Sequence, residues 1–212
     1  MSRAIERQSP KRGPAVQKPS DEELLLRHRN QGDRSAFETL VHRYERELYS
    51  YLRRYTGDAD LAEDVFQATF FQLHQKAHLY EAGRPVRPWL YTIATHQAVD
   101  ALRKAGRHQA VSLDARSTTG EIETDALVNL LSADTPTPGE EMEEAERREW
   151  VRREIERLPE HLRRVVLLTY YQGLKYREVA EILGIPVGTM KSRLHTALGR
   201  LGAAWKRRER TD

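Results

Sequence analysis

Apolar residues recur every three or four positions along the first half of the chain, and this spacing constrains the fold more than any other feature. Between residues 35 and 56 the repeat consists of Phe37, Leu40, Val41, Tyr44, Leu48, Leu52 and Tyr55. Such spacing places apolar side chains on one face of an α-helix. The alternation of polar and apolar residues that marks a half-buried strand does not extend far enough to form one. The sequence therefore predicts an all-α protein.

Helix-start signals divide this region into four helices. Ser20 and Ser35 are each followed three residues later by a glutamate, the spacing of a capping box. A third helix is expected to begin near Asp60. A fourth is expected to have Pro88 in its first turn, after a loop rich in Gly and Pro. Together these helices predict a compact domain over residues 20–106.

Composition limits the kinds of protein that the chain can be. Hydrophobic residues make up 39% and charged residues 32%, which suits small helical domains. The absence of cysteine excludes disulfides and Cys-based zinc sites. Neither a signal peptide nor an apolar run of about 18 residues is present, so we expect a soluble, cytoplasmic protein without membrane insertion. Residues 1–19, with scattered basic residues and prolines, are expected to form a disordered basic arm.

The charge pattern changes sharply after the first domain. Residues 112–146 contain ten acidic residues and one arginine, a local charge of −9. We predict a flexible acidic linker over residues 107–138. Helical periodicity then resumes, which predicts a second domain over residues 139–206 and a short basic tail over residues 207–212.

The stretch REVAEILGIPVGTMKSRLHTAL, residues 177–198, has the pattern of a helix-turn-helix. Gly184 can take the left-handed conformation that the turn needs, and Pro186 helps begin the second helix. Basic residues on such a helix contact phosphates, and polar ones contact base edges. The candidate duplex-binding residues are Thr189, Lys191, Ser192, Arg193, His195 and Arg200. The alternative is a helical hairpin with a solvated basic face.

Two other stretches have more than one interpretation. Residues 60–80 form either an ordinary core helix or a helix that also presents a partner surface. Residues 87–107 interleave aromatic and basic residues, a pattern that suits single-stranded nucleic acid, although the aromatics could also belong to the core.

The sequence contains no convincing catalytic or metal-binding pattern. His74 and His78 are four residues apart, but no third ligand accompanies them. The sequence has no phosphate-binding glycine loop and no nucleophile elbow. We therefore predict a non-enzyme with no catalytic residues, no metal, no cofactor and no small-molecule substrate.

Three blocks, taken in order, closely resemble the extracytoplasmic-function group of bacterial sigma factors. They are DLAEDVFQATFFQLH, RPWLYTIATHQAVDALRK and IERLPEHLRRVVLLTYYQGLKYREVAEILGIPVGTMKSRLHTALGRL. The resemblance covers about residues 21–106 and 145–205. It implies two helical domains, region 2 and region 4, that bind core RNA polymerase and direct it to promoter DNA, in association with the nucleoid.

The resemblance also implies roles for particular residues. Contact with a coiled coil of the polymerase clamp is assigned to Asp64, Gln67 and Phe70. Contact with the non-template −10 strand is assigned to Tyr80 and His96, which shape a pocket for a flipped base, and to the nearby Trp89, Arg103 and Lys104. The helix-turn-helix residues given above are assigned to the −35 duplex.

The sequence also bears on regulation and on an alternative function. The resemblance implies regulation by an anti-sigma factor. Thr196 stands where many relatives have a basic residue, so the preferred −35 sequence is expected to differ. The rival is a helix-turn-helix repressor or activator that acts without a sigma role, and it explains only residues 145–205. An enzymatic function would be supported only by the two histidines and the abundant carboxylates.

Overall fold

The computed structural model describes residues 18–106, 142–208 and 210, with the side chains of the second segment described from residue 146. Every regular element within these residues is helical, which confirms the all-α prediction. The N-terminal domain comprises α1 (Asp21–Gln31), α2 (Arg34–Thr56), α3 (Ala59–Lys76) and α4 (Val86–Lys104), with a 3-10 turn at Ala77–Leu79. The C-terminal domain comprises α5 (Met142–Glu156), α6 (Glu160–Val166), a π-helical turn at Leu167–Tyr171, α7 (Tyr176–Leu183) and α8 (Val187–Arg208).

One of the two predicted capping boxes is confirmed. Ser20 Oγ accepts from the Glu23 amide at 3.1 Å, and the Glu23 carboxylate accepts from the Ser20 amide at 3.0 Å. The box predicted at Ser35 is wrong, because Asp33 caps α2 instead and accepts from the Ala36 amide at 3.1 Å. The Ser35 hydroxyl donates to the same carboxylate at 2.8 Å. These hydrogen bonds lower the pKa of Asp33.

The N-terminal core forms where α3 packs between α2 and α4. Its fully buried side chains include Leu40, Leu48, Leu52, Leu73 and Leu90. Three tyrosines, Tyr51, Tyr55 and Tyr91, are also completely buried. Large apolar and aromatic side chains on three facing helices account for the stability of this domain.

The C-terminal core lies between α6, α7 and α8. The buried side chains are Val165, Leu168, Val179, Ile182, Met190, Leu194 and Leu201. The two domains also pack against each other: α4 lies beside α7, and α2 lies beside the π-helical turn. The C-terminal domain is therefore docked on the N-terminal domain.

Several predictions fall outside the described residues. They concern residues 1–17 of the basic arm, all of the acidic linker over residues 107–138, and part of the basic tail. The domain boundaries remain predictions. Among the helices that the structure describes, none is long and apolar enough to cross a membrane.

We expect Leu48→Ala to lower the free energy of unfolding by about 2–5 kcal/mol, because it removes buried methyl groups and leaves a cavity. Urea unfolding followed by circular dichroism measures the change. The control is Leu79→Ala, since Leu79 is 61% exposed. Equal losses in the two variants would contradict the position of Leu48 in the core.

Candidate nucleic-acid interface

The outer face of α3 carries the residues expected to contact a protein partner. Asp64 and Gln67 are exposed there, and the Gln67 amide donates to Glu63 Oε1 at 3.0 Å. Phe71 lies one turn further along, with 61% of its surface exposed. Interfaces are enriched in aromatic side chains, so an exposed ring beside polar groups suits a contact surface.

Phe70 does not lie on this exposed face, and the partner contact assigned to it stays a prediction. It is only 7% exposed, and its ring centroid lies 5.0 Å from that of Phe66, which is partly buried against the core. One step along a helix turns the side chain by about 100°, so neighbouring residues face different ways. Phe71 is the aromatic side chain that accompanies Asp64 and Gln67. Their spacing of three and then four residues was the signal for this in the sequence.

Tyr80 and Trp89 line a cavity of about 380 Å³ between the end of α3 and the start of α4. Their ring centroids are 5.6 Å apart and the planes are tilted by 32°. Tyr80 is only 4% exposed, its hydroxyl donates to the Arg84 carbonyl, and its own carbonyl accepts from Arg29 Nη1 at 2.6 Å. Tyr80 therefore holds the loop in shape, and the half-buried Trp89 offers the accessible ring. Nucleic-acid bases of any sequence can stack on such a ring.

Two glutamates of α7, Glu178 and Glu181, also line this cavity and were missed by sequence reasoning. The Glu178 carboxylate accepts from the Lys175 amide at 2.7 Å, which caps α7. Glu181 is exposed. Their negative charges oppose the approach of a phosphate to the cavity.

His96 and Arg103 lie further along α4, in a neighbouring cavity of about 590 Å³ that Trp89 also lines. Arg164 of α6 completes its wall. Lys104 is exposed at the end of α4 but is not among the lining residues. The structure thus brings together three of the five predicted −10 residues around one basic cavity, with Tyr80 behind Trp89 and Lys104 to the side.

The helix-turn-helix depends on Gly184, which has φ +61° and ψ +36°. A residue with a Cβ is strained in this left-handed conformation. The Ile185 amide then donates to the Ala180 carbonyl at 3.0 Å, which closes the end of α7. The turn delivers the chain to Val187, the first residue of α8.

The outer side of α8 carries the predicted duplex-binding residues. Four of them are exposed, namely Lys191, Ser192, His195 and Arg200. The other two, Thr189 and Arg193, are partly buried. The Thr196 hydroxyl donates to the Ser192 carbonyl at 3.0 Å, so its hydrogen atom is engaged with the helix backbone. The helix continues to Arg208.

His161 of α6 adds an unpredicted member to the basic surface of α8. Burial lowers the pKa of His161, and the positive charges of Arg193, Arg164 and Arg200 lower it further. Arg193 is itself affected, since burial and the charge of Arg164 lower its pKa. Glu160 is the carboxylate that lies near these cations, with its Oε1 3.8 Å from Arg164 Nε. Three arginines around one histidine still leave an excess of positive charge, which favours an anionic ligand such as a DNA phosphate.

Known families match both halves of the chain. The family described as Sigma-70 region 2 matches residues 40–108, and Sigma-70, region 4 matches residues 148–201. The ECF RNA polymerase sigma factor SigW of Bacillus subtilis is 30% identical over 177 residues, 82% of this chain and 92% of that protein. The chain belongs to the ECF RNA polymerase sigma factors. The ECF RNA polymerase sigma-E factor of Escherichia coli is 32% identical, over 83% of this sigma factor and 90% of the relative.

Solved structures support the fold of this sigma factor. The structure of CnrH in complex with the cytosolic domain of CnrY aligns with a TM-score of 0.61 at 22% identity, over 88% of this chain and 97% of that chain. The structure of RpoE of Bartonella quintana, in complex with the anti-sigma factor NepR, aligns with a TM-score of 0.59 at 22% identity. The alignment covers 80% of this chain and 96% of that chain. The N-terminal domain is hereafter the region 2 domain, and the C-terminal domain is the region 4 domain.

We expect His161 to titrate below the usual histidine pKa, and Arg193→Gln to raise its pKa by removing a nearby positive charge. The unfolded chain then binds more protons near pH 6, so His161 reduces stability as the pH falls. NMR titration of the imidazole signals measures the pKa, with His161→Gln identifying the resonance. Arg177→Gln is the control. An equal shift of the His161 pKa in the two variants would contradict the close approach of Arg193 to His161.

Proposed function

We propose that this sigma factor binds core RNA polymerase through the outer face of α3, defined by Asp64, Gln67 and Phe71. Trp89, His96 and Arg103 then contact the non-template −10 strand, and α8 contacts the −35 duplex. The protein supplies binding free energy to promoter recognition and strand opening, and the polymerase carries out the chemistry.

The observation that carries this proposal is the presence of three different surfaces on one chain. The first is the polar and aromatic face of α3, the second is the aromatic and basic surface of α4, and the third is the basic helix-turn-helix. A repressor or activator without a sigma role uses the third surface and leaves the other two without a partner. A factor that joins polymerase to both promoter elements uses all of them.

Stacking accounts for a contribution to strand opening without any cofactor. Extruding a base from duplex DNA costs a few kcal/mol. Stacking on an aromatic side chain returns about 1–3 kcal/mol per base, and nearby cations add phosphate contacts. Trp89 supplies the ring, and Arg103 the positive charge, within one cavity wall. The free energy gained by stacking is similar in size to the cost of extruding the base, so the bound DNA opens at that base with little net cost in free energy.

The −35 contact is expected to depend more on charge than on stacking. Lys191 and Arg200 are exposed on the outer side of α8, and the Arg193–His161 cluster lies beside them. Phosphate contacts of this kind fix the helix in the groove, and polar residues such as Ser192 and His195 then read base edges. Thr196 carries no positive charge. At the base pairs nearest to Thr196, the sequence preference is therefore determined by the neighbouring side chains of α8.

An anti-sigma factor is a further proposed partner. The Bartonella quintana relative was solved with one, and the chain shares its fold. A protein that works on polymerase and chromosomal DNA acts in the cytoplasm, where we expect this one.

Pull-down of core RNA polymerase and promoter-dependent run-off transcription test the proposal. Polymerase binding and initiation from a promoter selected by the protein are expected. Binding to DNA operators without polymerase binding or initiation would instead support the repressor or activator function.

We expect Asp64→Arg to weaken polymerase binding at least about tenfold, because a reversed charge on a complementary interface costs several kcal/mol. Phe71→Ala should weaken it as well, since it removes an aromatic contact without disturbing the core. Fluorescence anisotropy with labelled protein measures both. Glu38→Arg provides the same charge change at an exposed position of α2. Loss of −35 duplex binding in the Asp64 variant would contradict the division between surfaces.

We expect Lys191→Ala to weaken binding to duplex DNA and to reduce the slope of log K against log salt by about 1, the effect of losing one phosphate contact. Titrations at four salt concentrations give the slope. Lys175→Ala removes a lysine that is exposed just before α7 and serves as the control. An unchanged slope in the Lys191 variant would show that this residue does not contact phosphate.

A further inference from the structure

The loop between α3 and α4, residues 80–85, is held at its first residue by α1. Arg29 Nη1 donates to the Tyr80 carbonyl at 2.6 Å, between residues 51 positions apart in the chain. Arg29 is partly buried, and its Nε donates to Asn30 Oδ1 at 2.9 Å, so the guanidinium has a fixed orientation. A hydrogen bond from a charged donor is about twice as strong as one between neutral groups. The Arg29 side chain therefore fixes where the loop begins.

Helix α1 holds the end of the same loop as well. Glu22 Oε1 accepts from the Val86 amide at 3.1 Å, 64 positions further along the chain. Val86 is the first residue of α4, and Pro85 before it offers no side-chain cap. The first amides of a helix have no acceptor within the helix, and a negative charge is favourable at that end. Glu22 therefore caps α4 from another helix and fixes where the loop ends.

Between these two attachments the loop is closed by its own hydrogen bonds. The Arg84 amide donates to the Glu81 carbonyl at 3.2 Å, in a turn that places Gly83 at φ +93°. A residue with a Cβ rarely adopts this conformation, so the glycine sets the shape of the turn. The Tyr80 hydroxyl donates to the Arg84 carbonyl across the loop. The loop is thus a unit whose position depends on where α1 holds its two ends.

This arrangement presents the side chains of the loop beside Trp89. Glu81 and Arg84 are exposed, and Leu79 just before the loop is 61% exposed. All three line the cavity that Trp89 also lines. They offer an acceptor, a donor and an apolar surface, which are the groups that read the edge of an unstacked base. A nucleotide next to a base stacked on Trp89 would meet them.

The attachment of α1 to the loop is separate from its packing on α2. Leu24 and Leu25 of α1 are buried in the core, and Asp21 accepts hydrogen bonds from two side chains of α2. Within the residues that the structure describes, the side chains of Glu22 and Arg29 make no hydrogen bond to α2. Both can therefore be changed while the other contacts keep α1 in place.

We propose that Glu22 and Arg29 are positioning residues that hold the loop in the shape that distinguishes one −10 strand from another. Neither side chain needs to touch DNA, because each acts on the loop through a backbone group. Groups held in place before binding give higher affinity and selectivity, since binding then carries no cost of ordering them. Helix α1 precedes the residues that match Sigma-70 region 2, so the determinants of −10 reading extend beyond that match. The inference rests on the proposed −10 contact.

The test measures discrimination between −10 strands by holoenzyme assembled from core RNA polymerase and the full chain. The probes are a fluorescent single strand selected from a random pool by the unchanged holoenzyme, and versions of that strand with one base substituted. We expect Glu22→Ala and Arg29→Ala each to lower the ratio of the two affinities at least about threefold, because loosely held groups distinguish bases less well. Glu22→Gln keeps an oxygen acceptor and Arg29→Lys keeps a charged donor, so each should recover part of the ratio.

Two control variants separate positioning from a general loss of charge. Arg27→Ala and Glu38→Ala remove an arginine and a glutamate at exposed positions of α1 and α2, and should leave the ratio unchanged. Circular dichroism verifies that each variant folds. Should an alanine variant not fold, Glu22→Leu or Arg29→Met removes the hydrogen bond and keeps the bulk of the side chain.

An unchanged ratio in the folded Glu22 and Arg29 variants would overturn the inference, and so would an equal fall in the two control variants. A ratio that neither Glu22→Gln nor Arg29→Lys recovers would overturn it as well, because the loss would then not depend on the two hydrogen bonds. Failure of the proposed function is a different result: the pool would yield no preferred strand with the unchanged holoenzyme, and the inference would fall with it.

Discussion

Three buried tyrosines hold the N-terminal domain together and also form the surface on which the other domain rests. Tyr51 stacks on Tyr55 with ring centroids 5.9 Å apart, and meets Tyr91 edge to face at 5.2 Å. The Tyr51 hydroxyl shares a 2.8 Å hydrogen bond with Thr95, and burial raises its pKa to about 12. The hydroxyls of Tyr55 and Tyr91 instead reach the region 4 domain. The rings therefore join α2 to α4, and the polar tips make the interdomain contact specific.

Local signals in the sequence predicted local structure well. The capping box at Ser20, the turn at Gly184 and the apolar face of α8 are all determined by spacing between near neighbours. The cap predicted at Ser35 is wrong because α2 begins earlier in the chain. Asp33 accepts from the Ala36 amide and also from the Ser35 hydroxyl, so Ser35 lies inside the helix. Where two cap-forming residues stand two positions apart, pattern alone does not choose between them.

The candidate site was predicted less completely, for two physical reasons. Phe70 and Phe71 are chemically identical, and only the three-dimensional packing of Phe70 shows which of them is accessible. Glu160 and Gln172 are ordinary polar residues in the sequence, because their hydrogen-bond partners, Tyr55 and Tyr91, are far away along the chain. His161 was missed for the same reason, as its significance comes from arginines of another helix.

The π-helical turn determines where Gln172 lies in the contact between the two domains. The Gln172 amide donates to the Leu167 carbonyl at 3.2 Å, five residues back, so this turn holds one residue more than an α-helical turn. Replacing this turn by an ordinary α-helical turn would change the local backbone that presents the Gln172 side chain to Tyr91. The contact between Gln172 and Tyr91 would change, yet every DNA-facing residue of α8 would keep its identity. The length of one helical turn can thus set how tightly the domains associate, independently of which promoter the protein reads.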